Sequence, residues 1–104
     1  MQLMTKAIER KMPALYSSDG TEDRPIIVKY FTPDSNWTWY VIEGQRESSE
    51  VDCDWMFFGL VDGFEKEFGY FRLSELQGVK GPLGLYIERD MHFKGRLCDV
   101  YKWN

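Results

Sequence analysis

Apolar residues near the start of the chain recur at Met4, Ile8, Met12 and Leu15, while Lys6, Glu9, Arg10 and Lys11 fall on the remaining faces. That spacing predicts an amphipathic helix. Thr5 is placed to cap its N-terminus by accepting an orphaned amide, and Pro13 disfavours helical geometry at Met12, so the helix stops there. The polar stretch from Ser17 to Asp23 reads as an exposed loop.

The pattern then changes period. Ile26 to Thr32 is β-branched or aromatic around one lysine, Pro33-Asp34-Ser35-Asn36 supplies a turn, and Trp37 to Ile42 forms a second strand, together a hairpin. In that strand Trp37, Trp39 and Val41 share one face and Thr38, Tyr40 and Ile42 the other, which predicts a sheet covered on both sides. Gly44 to Cys53 offers almost nothing to bury and reads as a flexible acidic connector. Trp55 to Val61 and Glu67 to Leu73 make a second hairpin around Asp62-Gly63, with Gly59 and Gly69 marking a bulge, a twist or a close approach. Ser74-Glu75-Leu76 starts one helical turn that Gly78 ends. Leu83 to Ile87 is expected as a fifth strand, and the alternation from Leu97 to Trp103 as a short edge strand.

The predicted architecture is α+β: an antiparallel sheet of two hairpins plus one or two further strands, with the N-terminal amphipathic helix packed on one face through Met4, Ile8 and Met12. The 104 residues, 1–104, fit a single domain that buries enough surface to fold without metal or disulfide, because 43% are hydrophobic and 16% aromatic. Cys53 and Cys98 stand far apart and in no CxxC pair, so they read as idle thiols, and spacing leaves open whether they pair. Charges interrupt the apolar positions from Met1 to Met12, leaving neither a signal-peptide core nor a membrane span, and a cytoplasmic protein is expected.

Charge alters the functional picture more than composition does. A net charge of −4 and a pI near 5.0 have the wrong sign for gripping phosphate backbones, and Lys29 and Lys80 are too few to line a basic groove beside Trp37, Trp39 and Tyr40. Those aromatics are therefore expected in the core, and direct nucleic-acid binding is disfavoured. The acid is concentrated: Glu43, Glu47, Glu50, Asp52 and Asp54 accompany only Arg46, and Asp62, Glu65 and Glu67 only Lys66. Such a stretch reads either as a solvated loop or as a patch that docks on a basic surface.

Catalytic signals are sparse. His92 is the one histidine, no serine stands in a GxSxG or SxxK setting, and the glycines form no phosphate-cradling motif. Convergence of Asp62, Glu65, Glu67, Glu88 and Asp90 on a metal or as an acid/base pair is the remaining enzymatic option. The triplet Glu88-Arg89-Asp90 is read more simply as an ion-pair cluster tying the fifth strand to a neighbour. No catalytic residue, no metal ligand and no cofactor is assigned.

Three stretches carry a resemblance: Phe31 to Tyr40; Phe57 to Gly63 continuing through Glu65, Glu67, Gly69-Tyr70-Phe71 and Leu73; and Gly81-Pro82-Leu83-Gly84-Leu85 with Ile87 to Asp90. From about Met4 to Phe93 the chain resembles an uncharacterised small-protein family, a domain of unknown function, carried on bacterial plasmids and integrative elements. One branch of that family is similar to an anti-CRISPR inhibitor of the type II nuclease Cas9. The resemblance implies a protein that binds Cas9 or its guide RNA complex, whose nucleic-acid channels are strongly basic. On that expectation Glu47, Glu50, Asp52, Asp54, Asp62, Glu65, Glu67, Glu88 and Asp90 form the partner-binding surface, with exposed aromatics as anchors. A plasmid-maintenance adaptor that binds another protein, or a carboxylate-dependent enzyme, are the rival expectations.

Overall fold

A computed structural model describes residues 2–17 and 23–102. The helix forms as the pattern requires. α1 spans Lys6–Lys11, the Thr5 hydroxyl accepts the Ile8 amide at 3.2 Å, and the chain turns extended at Met12 before Pro13. The predicted loop from Ser17 to Asp23 lies mostly outside the described residues.

Five strands follow: β1 Val28–Phe31, β2 Thr38–Arg46, β3 Trp55–Asp62, β4 Lys66–Arg72 and β5 Glu88–Arg89. They form one antiparallel sheet in the order β4-β3-β2-β1-β5. Two short helices complete the chain, α2 Leu73–Gln77 ending at Gly78 and α3 Leu97–Val100. The protein is thus mostly sheet, with short helices.

Alternation along the strands sends side chains to two cores. Val28, Tyr30, Trp39, Val41, Trp55, Phe57 and Phe71 face one side, where Leu3, Ile8, Leu73, Leu76 and Ile87 cover them. Met4 and Met12 pack half-buried against the same cluster. Tyr40, Ile42 and Leu60 face the other side under Ile26, Leu97, Phe93, Val100 and Tyr101. Burying each large side chain contributes about 1.5–3 kcal/mol before entropy is subtracted, so these aromatic strands dominate stability.

Three local expectations need correction. β2 does not end at Ile42 but runs to Arg46. A bulge between Val41 and Glu43, opposite Gly59, re-aims the strand, and Glu43 is only 2% exposed, 3.7 Å from the Arg24 guanidinium. Its Oε1 also accepts the amide of Tyr16 at 3.0 Å, holding that residue at a left-handed φ of 67°. The connector expected from Gly44 is therefore shorter, because Gly44, Gln45 and Arg46 pair with Phe57, Met56 and Trp55, and the acidic stretch also loses Glu43 to the interior.

Leu83 to Ile87 is a loop rather than the fifth strand. Gly84 takes a φ of +82° and the Leu83 amide is held by Asp34 Oδ2 at 2.7 Å, so pairing with β1 begins only at Glu88. Leu97 to Val100 is helical, not extended, since Asp99 reaches back to accept the Arg96 amide at 2.8 Å. Leu97, Val100 and Tyr101 share the helical step of three and four residues as well as an alternation, and burial of all three on one core selects the helix. Trp103, the end of that predicted strand, lies outside the described residues.

Candidate functional site

Seven of the nine acidic residues singled out by sequence separate into two groups at opposite ends of β3, and the other two, Glu88 and Asp90, lie at β5 on the far edge of the sheet. Glu47, Glu50, Asp52 and Asp54 lie in the β2–β3 connection, while Asp62, Glu65 and Glu67 lie around the β3–β4 hairpin. Eight strand residues at about 3.3 Å each hold the two groups roughly 25 Å apart. They are not one surface.

Several of these carboxylates already serve the fold. Asp54 accepts the Ser74 amide at 3.0 Å and the Ser74 hydroxyl at 2.6 Å, fastening the start of α2, and also its neighbour Trp55's amide at 2.9 Å. Burial pushes its carboxyl up, but the bonds from Ser74 and Trp55 and the charge of Arg72 outweigh that and leave it below the usual range. Glu47 pairs with Arg72 at 2.6 Å. Asp90 lies 3.7 Å from Lys29 and accepts the His92 amide at 3.0 Å, so the Glu88-Arg89-Asp90 triplet does tie β5 to β1. Glu88 is half-buried opposite Phe31, and Asp62 opposes Lys66 across the hairpin.

Glu50 and Asp52 stay exposed in the β2–β3 connection. The groove beside them, about 480 Å³ between α1, that connection and α2, is lined by Glu9, Arg46, Asp52, Asp54 and Ser74. Most of its charge is internally matched: Arg46 meets Glu9 at 3.1 Å and donates to the carbonyls of Glu50 and Val51.

The hairpin end differs. Phe64 stands at the tip of the β3–β4 turn, 94% exposed. Its ring meets Trp37 edge-on, with centroids 5.4 Å apart and planes at 80°. Trp37 in turn stacks on Trp39 at 6.0 Å and 26°. Glu65 and Glu67 line the same depression with Trp37, Val61 and Phe64, and neither carboxylate has an ion-pair partner among the described residues. On the other side of Trp37 a second depression runs to Val79, Gly81 and Pro82, beyond which Leu83, Leu85 and Tyr86 are exposed.

Trp39 and Tyr40 are internal as predicted, whereas Trp37 is only half-buried and belongs to this exposed end. Sequence reasoning did not single out Phe64. Its signal was present: a large apolar residue inside a Gly-containing turn, flanked by Gly63 and Glu65, has no strand neighbour to bury it.

Cys53 and Cys98 are both free thiols, the first half-buried and the second exposed. Among the described residues no three His, Cys, Asp or Glu side chains converge to hold a metal ion, and no helix is long and apolar enough to cross a membrane.

The fold and this surface define a small open-sheet domain with an aromatic, acid-rimmed end. The chain belongs to the family described as Protein of unknown function (DUF2958), whose sequence profile matches residues 2–101. No curated protein and no solved structure matches it.

Proposed function

We propose that this protein works by binding another protein through the β3–β4 hairpin end, and that the partner is the guide-loaded type II nuclease Cas9. In that reading it is an anti-CRISPR inhibitor of a mobile genetic element, acting in the cytoplasm of a bacterial host. The observation that carries the binding reading is Phe64: a phenylalanine 94% exposed beside Trp37, next to Glu65 and Glu67, which have no ion-pair partner among the described residues.

An aromatic left in water forgoes about 1.5–3 kcal/mol that burial would return, and a partner surface is what returns it. Protein interfaces concentrate their energy in such aromatic anchors, surrounded by polar groups that exclude water. The net charge of −4 adds long-range attraction toward a basic partner. The Cas9 assignment rests on the sequence resemblance and on the strongly basic channels of that nuclease.

A cleavage assay with guide-loaded Cas9, with and without the protein, tests the assignment. Inhibition at near-stoichiometric amounts, with co-purification that weakens as salt rises, supports it. Full cleavage at excess inhibitor together with no association at low salt removes Cas9 as the partner.

A further inference from the structure

We infer that the notch between Trp37 and Phe64 receives an arginine side chain of the partner protein. The inference rests on the protein-binding reading of the hairpin end, and it specifies the chemistry that end recognises.

The notch is about 260 Å³, bounded by Trp37, Val61, Phe64, Glu65 and Glu67. Its two rings stand at 80° to one another, so they form two walls of a corner rather than a closed stack. Val61 and Glu67 are direct cross-strand partners, which sets an apolar floor next to a carboxylate on the same sheet face. Aromatic faces attract cations through their quadrupole, and the two glutamates add full negative charge. An anionic group is repelled here, and a purely apolar one leaves both carboxylates to be desolvated without a partner.

Arginine fits this set of groups better than lysine. Its guanidinium is planar and weakly hydrated, packs flat on an exposed ring such as Phe64, and forks its N–H groups toward a carboxylate, whereas an ammonium is a compact and strongly hydrated charge.

Trp37 is the fixed wall of the notch. Besides stacking on Trp39, its six-membered ring lies directly on the backbone of Gly63, where an added Cβ would fall 2.2 Å from the ring. Only glycine leaves that space, so Gly63 is a positioning residue for the indole.

The test uses blocked tripeptides Gly-Arg-Gly, Gly-Lys-Gly, Gly-citrulline-Gly and Gly-Leu-Gly, titrated into isotope-labelled protein while the Trp37 indole N–H resonance is followed. Assignment among the four tryptophans comes from Trp37→Phe. The arginine peptide is expected to shift that resonance saturably, with the citrulline peptide, its neutral isostere, about tenfold weaker or worse. The response should vanish in Glu65→Gln/Glu67→Gln, and also in Gly63→Ala, in which the indole must move. An equal response to lysine, citrulline or leucine, or no saturable shift with arginine, overturns the inference. Cas9 is absent from this experiment, so its failure leaves the protein-binding proposal standing, and failure of the cleavage assay leaves this one standing.

Discussion

The hydroxyl of Tyr30 on β1 donates to the carbonyl of Leu3, 2.5 Å away and 27 residues earlier in sequence. This bond anchors the segment before α1 to the centre of the sheet, at a side chain that is 0% exposed. Tyr30→Phe keeps the ring and strands a buried carbonyl, which should cost about 1–3 kcal/mol in chemical denaturation. Burial also pushes the Tyr30 phenol well above its ordinary value, against a smaller opposing effect from Arg89. A raised folded-state value means that this contribution is intact below about pH 10, the unfolded value, and is lost as pH climbs beyond it. Melting temperature should therefore fall more steeply above pH 10 in the wild type than in Tyr30→Phe.

Gly59 and Gly69 face each other across β3 and β4, yet they should respond oppositely to alanine. A Cβ at Gly59 would lie 2.0 Å from the backbone carbonyl oxygen of Tyr40, beside the β2 bulge, and backbone cannot swing aside. Gly59→Ala should cost about 3 kcal/mol or more. At Gly69 nothing lies within 4 Å of the added carbon, and Gly69→Ala should be neutral or stabilising by up to about 1 kcal/mol. Paired urea melts read both.

The acidic residues of the β2–β3 connection should also divide. Asp54→Ala removes the acceptor that fastens Ser74 at the start of α2, at a cost of about 1 kcal/mol. Glu50→Ala and Asp52→Ala, both exposed, should change stability by less than about 0.5 kcal/mol. Because the Asp54 carboxyl is held below its ordinary value, its contribution is present above about pH 4 and lost as pH falls through the lowered value. The difference between wild type and Asp54→Ala should shrink in acid.

Glu43 makes the sharper contrast. Its carboxylate is buried with Arg24 and holds the Tyr16 amide, so Glu43→Ala leaves a largely buried guanidinium without this counter-charge. A loss of about 3 kcal/mol is expected in the same melts.

Much of the scaffold was legible because it rests on local rules. Thr5 and Pro13 bound α1 as capping and proline sterics require, and the alternation of Trp39 and Val41 against Tyr40 and Ile42 correctly announced a sheet covered on both faces. What failed depended on contacts distant in sequence. Glu43 reads as solvent-facing until Arg24 is brought against it, and Leu83 reads as strand until Asp34, 49 residues earlier, takes its amide. The acidic surface was mistaken for one patch because composition carries no distance: β3 stands between its halves. Phe64 was overlooked for the opposite reason, since hydrophobic pattern reading assigns aromatics to the core unless a turn forbids it.

Variants at the two ends of β3, compared for association with guide-loaded Cas9 at low salt, test the placement of the working surface most directly. Phe64→Ala and the pair Glu65→Lys/Glu67→Lys should each weaken association by about tenfold or more, the scale of an interface anchor, while Glu50→Lys/Asp52→Lys stays within about threefold of wild type. Loss of association on reversing Glu50 and Asp52, with the hairpin variants binding like wild type, would contradict the account.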